Sequence, residues 1–221
     1  MKEYFDKAFT RIAVLGSGTM GGQIAAHFAN LGFDTTMFDT SEEALSKSIA
    51  MMKKLKPTPF ASPSVSGLIK TSTYDDLTAI SGCDFIIESI VENLEIKKKL
   101  FKQISPYVND NAILVTNTSG LSIQKIAESA PDSLRSRIFG VHFFNPPRYL
   151  PLVELIRTSY SDESLLIKAE GFITSALGKE VVYAKDSPAF VANRIGVFSF
   201  MAVLKHAENF NLSADTVDAL T

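Results

Sequence analysis

Short runs of consecutive apolar residues alternate along this chain with stretches in which apolar positions recur every three or four residues. Ile12-Ala13-Val14-Leu15 is apolar throughout and ends on glycine, the pattern of a strand buried on both faces. Met20, Ile24, Phe28 and Leu31 then fall on one helical face, and Gly32 supplies the stop. Thr35-Thr36-Met37-Phe38 predicts a second strand. Ser41, with Glu42 and Glu43 behind it, predicts an N-capped helix reaching about residue 56. Pro57, Pro59 and Pro63 exclude a helix from the next stretch and predict a loop. Further strands are expected at 68–71, 85–87, 112–116, 138–141, 153–156 and 181–183, and helices at 94–107, 122–130 and 164–177. Residues 191–210 read as one long, strongly apolar helix.

Alternating strands and helices, with the strands apolar throughout, predict an α/β fold with a doubly wound, mostly parallel sheet and helices on both faces. The composition changes at Asp186-Ser187-Pro188, where we place a domain boundary: 1–186 on one side, 187–221 as the start of a second domain on the other.

Composition narrows the function. Of the 221 residues 46% are hydrophobic and 21% charged, which suits a packed core and not a disordered chain. A net charge of −2 gives no electrostatic support for a nucleic-acid or anionic-membrane partner. Cys83 is the single cysteine, which excludes an intrachain disulfide and a thiolate metal cluster; no metal site is expected, and a reducing, cytoplasmic setting fits. The opening Met1-Lys2-Glu3-Tyr4-Phe5-Asp6 has no apolar run and does not read as a secretory signal. The longest apolar stretch, 195–204, falls short of the roughly 20 residues a membrane span needs.

Gly16-Ser17-Gly18-Thr19-Met20-Gly21 follows a predicted strand and opens a predicted helix, the context that gives a G-x-G-x-x-G meaning. Gly16 permits the tight turn, Gly18 lets backbone amides approach a pyrophosphate, and Gly21 lets helix and strand pack closely. The helix N-terminus then offers free N–H groups and partial positive charge to phosphates. Asp39 ends the second strand, placed to accept hydrogen bonds from ribose hydroxyls and to repel a 2′-phosphate, which favours NAD over NADP. A second stretch, Gly140-Val141-His142-Phe143-Phe144-Asn145-Pro146-Pro147, puts a histidine at the carboxyl edge of the sheet, with Glu154 on the next strand-like run. A carboxylate on one imidazole nitrogen fixes the tautomer a general base needs, although a core histidine satisfied by a neighbour reads equally well from the residues alone. Thr116-Asn117-Thr118-Ser119-Gly120 follows a strand and suits either ligand contact or turn chemistry. Asn193, within Asp186-Ser187-Pro188-Ala189-Phe190-Val191-Ala192-Asn193-Arg194, sits inside an apolar helix, where helix packing is the plainer explanation.

Together these stretches resemble the L-3-hydroxyacyl-CoA dehydrogenase family, with the likeness running from Arg11 to about Asn211. The His-Phe-Phe-Asn-Pro and Asp-Ser-Pro…Asn-Arg stretches carry it. The run from Phe143 through Pro147, Arg148, Tyr149, Leu150 and Pro151 to Glu154, with Lys56-Pro57-Thr58-Pro59-Phe60-Ala61-Ser62-Pro63, looks most like the bacterial fatty-acid oxidation type fused ahead of an enoyl-CoA hydratase. The resemblance implies a Rossmann-type NAD-binding domain over 1–186 and, over 187–221, the first helix of an all-α domain that is cut short. It implies oxidation of an acyl-CoA thioester, L-3-hydroxyacyl-CoA, to 3-oxoacyl-CoA. His142 would be the general base, oriented by Glu154, with Ser119 and Asn193 on the reacting oxygen. Glu92 and Lys97 would lie on the nicotinamide side of the cofactor, although by spacing alone they read as solvated helix charges. The family dimerises through its helical domain, so self-association through residues 195–210 is expected, with little turnover from the fragment itself. The segment after Lys54 does not match the coenzyme A-contacting helix of the family's short members, which leaves Lys53, Lys54 and Lys56 as candidates for phosphate contact. Two other readings stand beside this one: a dehydrogenase of free 3-hydroxy acids that uses lysine, and a dinucleotide-binding protein without turnover.

Overall fold

A computed structural model describes residues 9–220; the N-terminal hexapeptide read for a targeting signal lies outside the described residues. Eight strands form one sheet in the order β3-β2-β1-β4-β5-β6-β7-β8. They are β1 (Arg11–Leu15), β2 (Asp34–Asp39), β3 (Ile69–Thr73), β4 (Phe85–Glu88), β5 (Ile113–Thr116), β6 (Ile138–Phe143), β7 (Leu152–Ile156) and β8 (Glu180–Ala184). The neighbours from β3 through to β6 are parallel, and the order reverses between β1 and β4, which opens a crevice at the carboxyl ends of those strands. This is the doubly wound, mostly parallel sheet the alternation predicts and the Rossmann-type arrangement the resemblance implies. Two strands depart from the parallel rule: β7 runs antiparallel to β6, and β8, parallel to β7, runs the same way. The connection over 144–151 is shorter than the dozen or so residues a parallel crossover requires, so the chain turns straight back. That return sets His142 directly opposite Glu154.

The helices are α1 (Thr19–Asn30), α2 (Glu42–Met52), α3 (Leu94–Ile104), α4 (Ile123–Ser129), α5 (Asp132–Arg135), α6 (Glu163–Gly171), α7 (Ala192–Asn209) and α8 (Ala214–Leu220). Ser41 caps α2 through the Ala44 amide and Ser122 caps α4 through the Lys125 amide, as expected. Several boundaries move. Helix α2 stops at Met52, short of the predicted 56, because its buried face ends there and Pro57 bars the helical conformation just before it. The proline-rich loop contains a 3₁₀ turn, Pro63–Leu68, which Pro63 starts without losing a needed amide. The predicted 94–107 helix divides into α3 and a 3₁₀ turn, Ser105–Tyr107, at Pro106. The predicted 164–177 helix begins earlier, capped by Asp162, and widens into a π-helical turn over Phe172–Ala176. Helix α5 is too short to show a hydrophobic period.

Core side chains cover both faces of the sheet. Along β1, Ile12 and Val14 join one layer while Ala13 and Leu15 join the other. The first layer is built on an aromatic cluster: Phe172 lies 4.9 Å from Phe9 and 5.2 Å from Phe85, ring centre to ring centre. Phe172→Ala should therefore lower stability by about 3–5 kcal/mol, read as a lower urea midpoint at unchanged slope. Helices α7 and α8 are the exceptions to this burial, and α7 is the longer of the two. It forms over nearly the predicted span, yet none of its residues is buried. No helix among the described residues is long and apolar enough to cross a membrane.

Candidate functional site

A cleft of about 960 Å³ runs along the carboxyl ends of the strands and is lined at different points by Gly18, Asp39, Glu92, Ser119, His142 and Asn193. One end is made by the β1–α1 turn. Gly16 has φ +103° and its backbone passes so close to Ser89 that a Cβ would lie 2.6 Å from the Ser89 carbonyl oxygen. A Cβ on Gly21 would lie 2.0 Å from the Gly16 carbonyl oxygen, so glycine is what lets α1 start against the turn. Gly18 caps α1 with extended backbone and no side chain bonds the first-turn amides. The space before Gly18 is open, and Thr19 and Met20 also line the cleft. This is an anion cradle with donors available, and it fits a pyrophosphate.

Asp39 lies beside it at the end of β2. Its Oδ2 accepts the Ser17 amide at 2.6 Å and the Ser17 hydroxyl at 2.5 Å, and its Oδ1 accepts the Thr40 amide at 2.7 Å. Burial pushes the Asp39 carboxyl up, but hydrogen bonds from Ser17 and Thr40 outweigh it and hold the group below the usual range. An ionised acceptor at the cleft edge suits a ribose diol. Ser17, expected to meet the cofactor, is buried and donates its hydroxyl to Asp39.

The other end of the cleft is made by β6 and β7. His142 Nδ1 and Glu154 Oε2 are 2.7 Å apart and both residues are buried. Glu154 Oε1 accepts the amides of Val191 at 2.9 Å and Ala192 at 2.8 Å. A carboxylate so engaged makes Nδ1 the protonated nitrogen and leaves the Nε2 lone pair for the cleft. The rings of Phe144 and Phe190 flank the imidazole at 4.5 and 5.8 Å. Asn193 donates from Nδ2 to the Ser119 carbonyl at 3.3 Å, and both residues line the same cleft as His142. The connector into α7 is held hard: Ala189 and Phe190 have φ of 61° and 49°, a region that costs a side-chain-bearing residue about 1–2 kcal/mol. Burial of Phe190 and the two amide bonds to Glu154 compensate.

Between the two ends, Glu92 and Lys97 are not the solvated helix charges that spacing suggests. Lys97 is 1% exposed and its Nζ sits 2.5 Å from Glu88 Oε1 and 3.5 Å from Glu92 Oε2. Glu92 accepts the Ser119 and Gly120 amides at 3.0 and 3.1 Å and the Thr118 hydroxyl, which ties the Ser119 loop to the start of α3. Burial raises the Glu92 carboxyl, but the Thr118 hydroxyl, the Lys97 charge and the two amides together hold it below its ordinary value.

Sequence reasoning missed three participants. Glu88 extends β4 by one residue past the apolar run. Asp186, in the boundary stretch, accepts the Ser122 hydroxyl and the Ile123 and Gln124 amides, so it caps α4 from a distance. Gln23 donates to Asn145 Oδ1 at 3.0 Å and so joins α1 to the loop after His142. Lys53, Lys54 and Lys56 are exposed and stand outside the cleft. Among the described residues there is no group of three or more His, Cys, Asp or Glu side chains able to hold a metal ion.

Residues 11–187 match the family model described as 3-hydroxyacyl-CoA dehydrogenase, NAD binding domain. A probable 3-hydroxyacyl-CoA dehydrogenase of Bacillus subtilis is 37% identical over 97% of this chain and 30% of its own length. A putative fatty acid oxidation complex trifunctional enzyme of Rickettsia felis is 37% identical over 95% of this chain and 30% of its own. The chain thus spans under a third of either relative. The crystal structure of (S)-3-hydroxybutyryl-CoA dehydrogenase from Ralstonia eutropha superposes with a TM-score of 0.81 at 31% identity, covering 94% of this chain and 74% of that one.

Proposed function

This chain belongs to the 3-hydroxyacyl-CoA dehydrogenase family and carries its NAD-binding domain, and from that premise we propose that it is the cofactor half of an enzyme oxidising L-3-hydroxyacyl-CoA to 3-oxoacyl-CoA. The observation that carries the reading is the His142–Glu154 pair, 2.7 Å apart, opening onto the same cleft as the β1–α1 turn. The domain reading keeps 1–186 as the NAD-binding part and 187–221 as the start of a helical substrate domain. Fatty-acid oxidation in the cytoplasm is the proposed setting. An enoyl-CoA hydratase fused in the full-length protein accords with the trifunctional relative.

The α1 amides hold the pyrophosphate, and Asp39 holds the adenosine ribose. When bound, NAD supplies the hydride acceptor. His142 Nε2 takes the proton of the substrate 3-hydroxyl as hydride leaves C3, and the imidazolium so formed is stabilised by Glu154. Ser119 and Asn193 hold the oxygen that becomes the 3-keto group. Glu92 and Lys97 keep the Ser119 loop in place on the nicotinamide side. Incubating the full-length protein with NAD and a 3-hydroxyacyl-CoA should yield NADH. Turnover of free 3-hydroxy acids but not of thioesters would overturn the substrate assignment, and NAD binding without turnover of either would overturn the reaction.

Cofactor choice is separately testable. NAD should bind more tightly than NADP, because Asp39 repels a 2′-phosphate. Asp39→Ala removes charge-assisted hydrogen bonds and should weaken NAD about 10–100-fold while narrowing the gap between the two cofactors. Calorimetric titration showing equal affinity of the unaltered protein for both would refute the assignment.

A further inference from the structure

Beneath the cleft lies a charge arrangement that the proposed reaction does not call on directly. Glu88, the last residue of β4, is fully buried. Its Oε1 accepts Lys97 Nζ at 2.5 Å and the Ile90 amide at 2.7 Å, and its Oε2 accepts the Thr116 hydroxyl at 2.6 Å. Each of these contacts comes from a donor, which is the environment of an ionised carboxylate. Lys97 has one further carboxylate in reach, Glu92 at 3.5 Å, and Glu92 opens onto the cleft. Two carboxylates therefore share one ammonium. One negative charge is left in excess under the ends of β4 and β5, beside the switch point where Glu88 pairs with Leu15.

The position of this charge matters if the cleft holds NAD, and the inference rests on that reading. A dinucleotide whose adenosine end meets Asp39, and whose reactive end meets a substrate held by His142, has to cross the ends of β4 and β5. The nicotinamide ring is cationic when oxidised and neutral when reduced. We propose that the Glu88–Lys97–Glu92 triad sets the redox preference of the site: its excess negative charge favours NAD⁺ over NADH, and Glu88 is the positioning residue that fixes Lys97. The reaction moves one positive charge from the ring to the imidazole of His142. Glu154 receives it there, and the triad is the matching counter-charge on the cofactor side. Each end of the reaction coordinate then has its own carboxylate.

The test is the ratio of dissociation constants for NAD⁺ and NADH, measured by direct titration of this chain without substrate. Glu88→Gln keeps the shape and makes the triad neutral, so NAD⁺ should weaken relative to NADH by about fivefold, the size expected for one charge acting through a partly solvated site. Lys97→Met adds to the excess and should move the ratio the opposite way. Thr116→Val deletes a hydrogen bond to Glu88 but no charge; it should lower the melting temperature and leave the ratio where it was. If Glu88→Gln does not fold, Glu92→Gln makes the same change of charge at a half-exposed position and should shift the ratio in the same direction. A ratio that does not move, or that moves the same way in the Glu88 and Lys97 variants, overturns the proposal. Failure of the unaltered chain to bind either form overturns the NAD reading instead, so the two failures are distinguishable.

Discussion

Replacing His142 by glutamine should lower kcat of the full-length enzyme about 10²–10⁴-fold and change KM by less than about threefold, because a general base of the kind proposed for the imidazole acts mainly in the transition state. The geometry gives the reason. Glu154 is already bonded through Oε1 to two amides at the entrance to α7, so only Oε2 is left for Nδ1. That single contact makes Nδ1 a donor and Nε2 an acceptor. Glu154→Gln cannot satisfy both sides. With its nitrogen toward His142, the Nδ1 proton meets another donor, the tautomer flips and Nε2 can no longer accept. With its nitrogen toward Val191 and Ala192, two backbone N–H groups face a donor and the start of α7 loosens. In either orientation kcat should fall about 10²-fold or more, with NAD affinity nearly unchanged. A His142→Gln enzyme that retained a tenth of its kcat would remove the histidine from the chemistry.

How much of this site is legible in the chain depends on how local each signal is. The glycine turn and Asp39 are legible because strand, turn and helix follow one another within the first β–α–β unit. His142 and Glu154 are legible as residue types, but their pairing depends on the antiparallel return of β7, which uniformly apolar strands do not announce. Glu88 is hidden because a charge at the end of an apolar run reads as the end of the strand. Lys97 is more instructive. In α3 the buried positions are Lys97, Leu100, Phe101 and Ile104, the i, i+3, i+4, i+7 spacing of a core-facing stripe. Read by residue type, Lys97 belongs to a solvated face; read by position, it belongs to the core and needs a buried acid, which Glu88 supplies. A lysine on an apolar stripe is therefore a signal for a buried carboxylate elsewhere in the chain. Asp186 gives no such signal, since its partners are the Ser122 hydroxyl and two amides at the start of α4, 62–64 residues away in the chain.

The chain as it stands should self-associate through α7. Phe198 is 75% exposed and Ile195 and Phe200 are each 61% exposed, alongside Val197 and Met201. Aromatic and aliphatic side chains exposed side by side on one helix make a larger patch than a monomeric surface usually carries. Burying four of them at about 1.5–3 kcal/mol each would contribute roughly 6–12 kcal/mol, against an association cost of about 4–15 kcal/mol. A helix that presents the same apolar surface on both copies meets the self-complementary requirement of a two-fold contact. The expected result is a dimer or larger species by sedimentation at tens of micromolar. Phe198 and Met201 stand one turn apart on α7 and line no part of the cleft. Changing both to glutamate puts like charges on the shared face, and the chain should sediment as a monomer with its NAD affinity intact. If the unaltered chain runs as a monomer at that concentration, α7 is not the contact. If the double variant still associates, another surface is responsible, and the exposed β8 edge with Val182 and Tyr183 is the next to test.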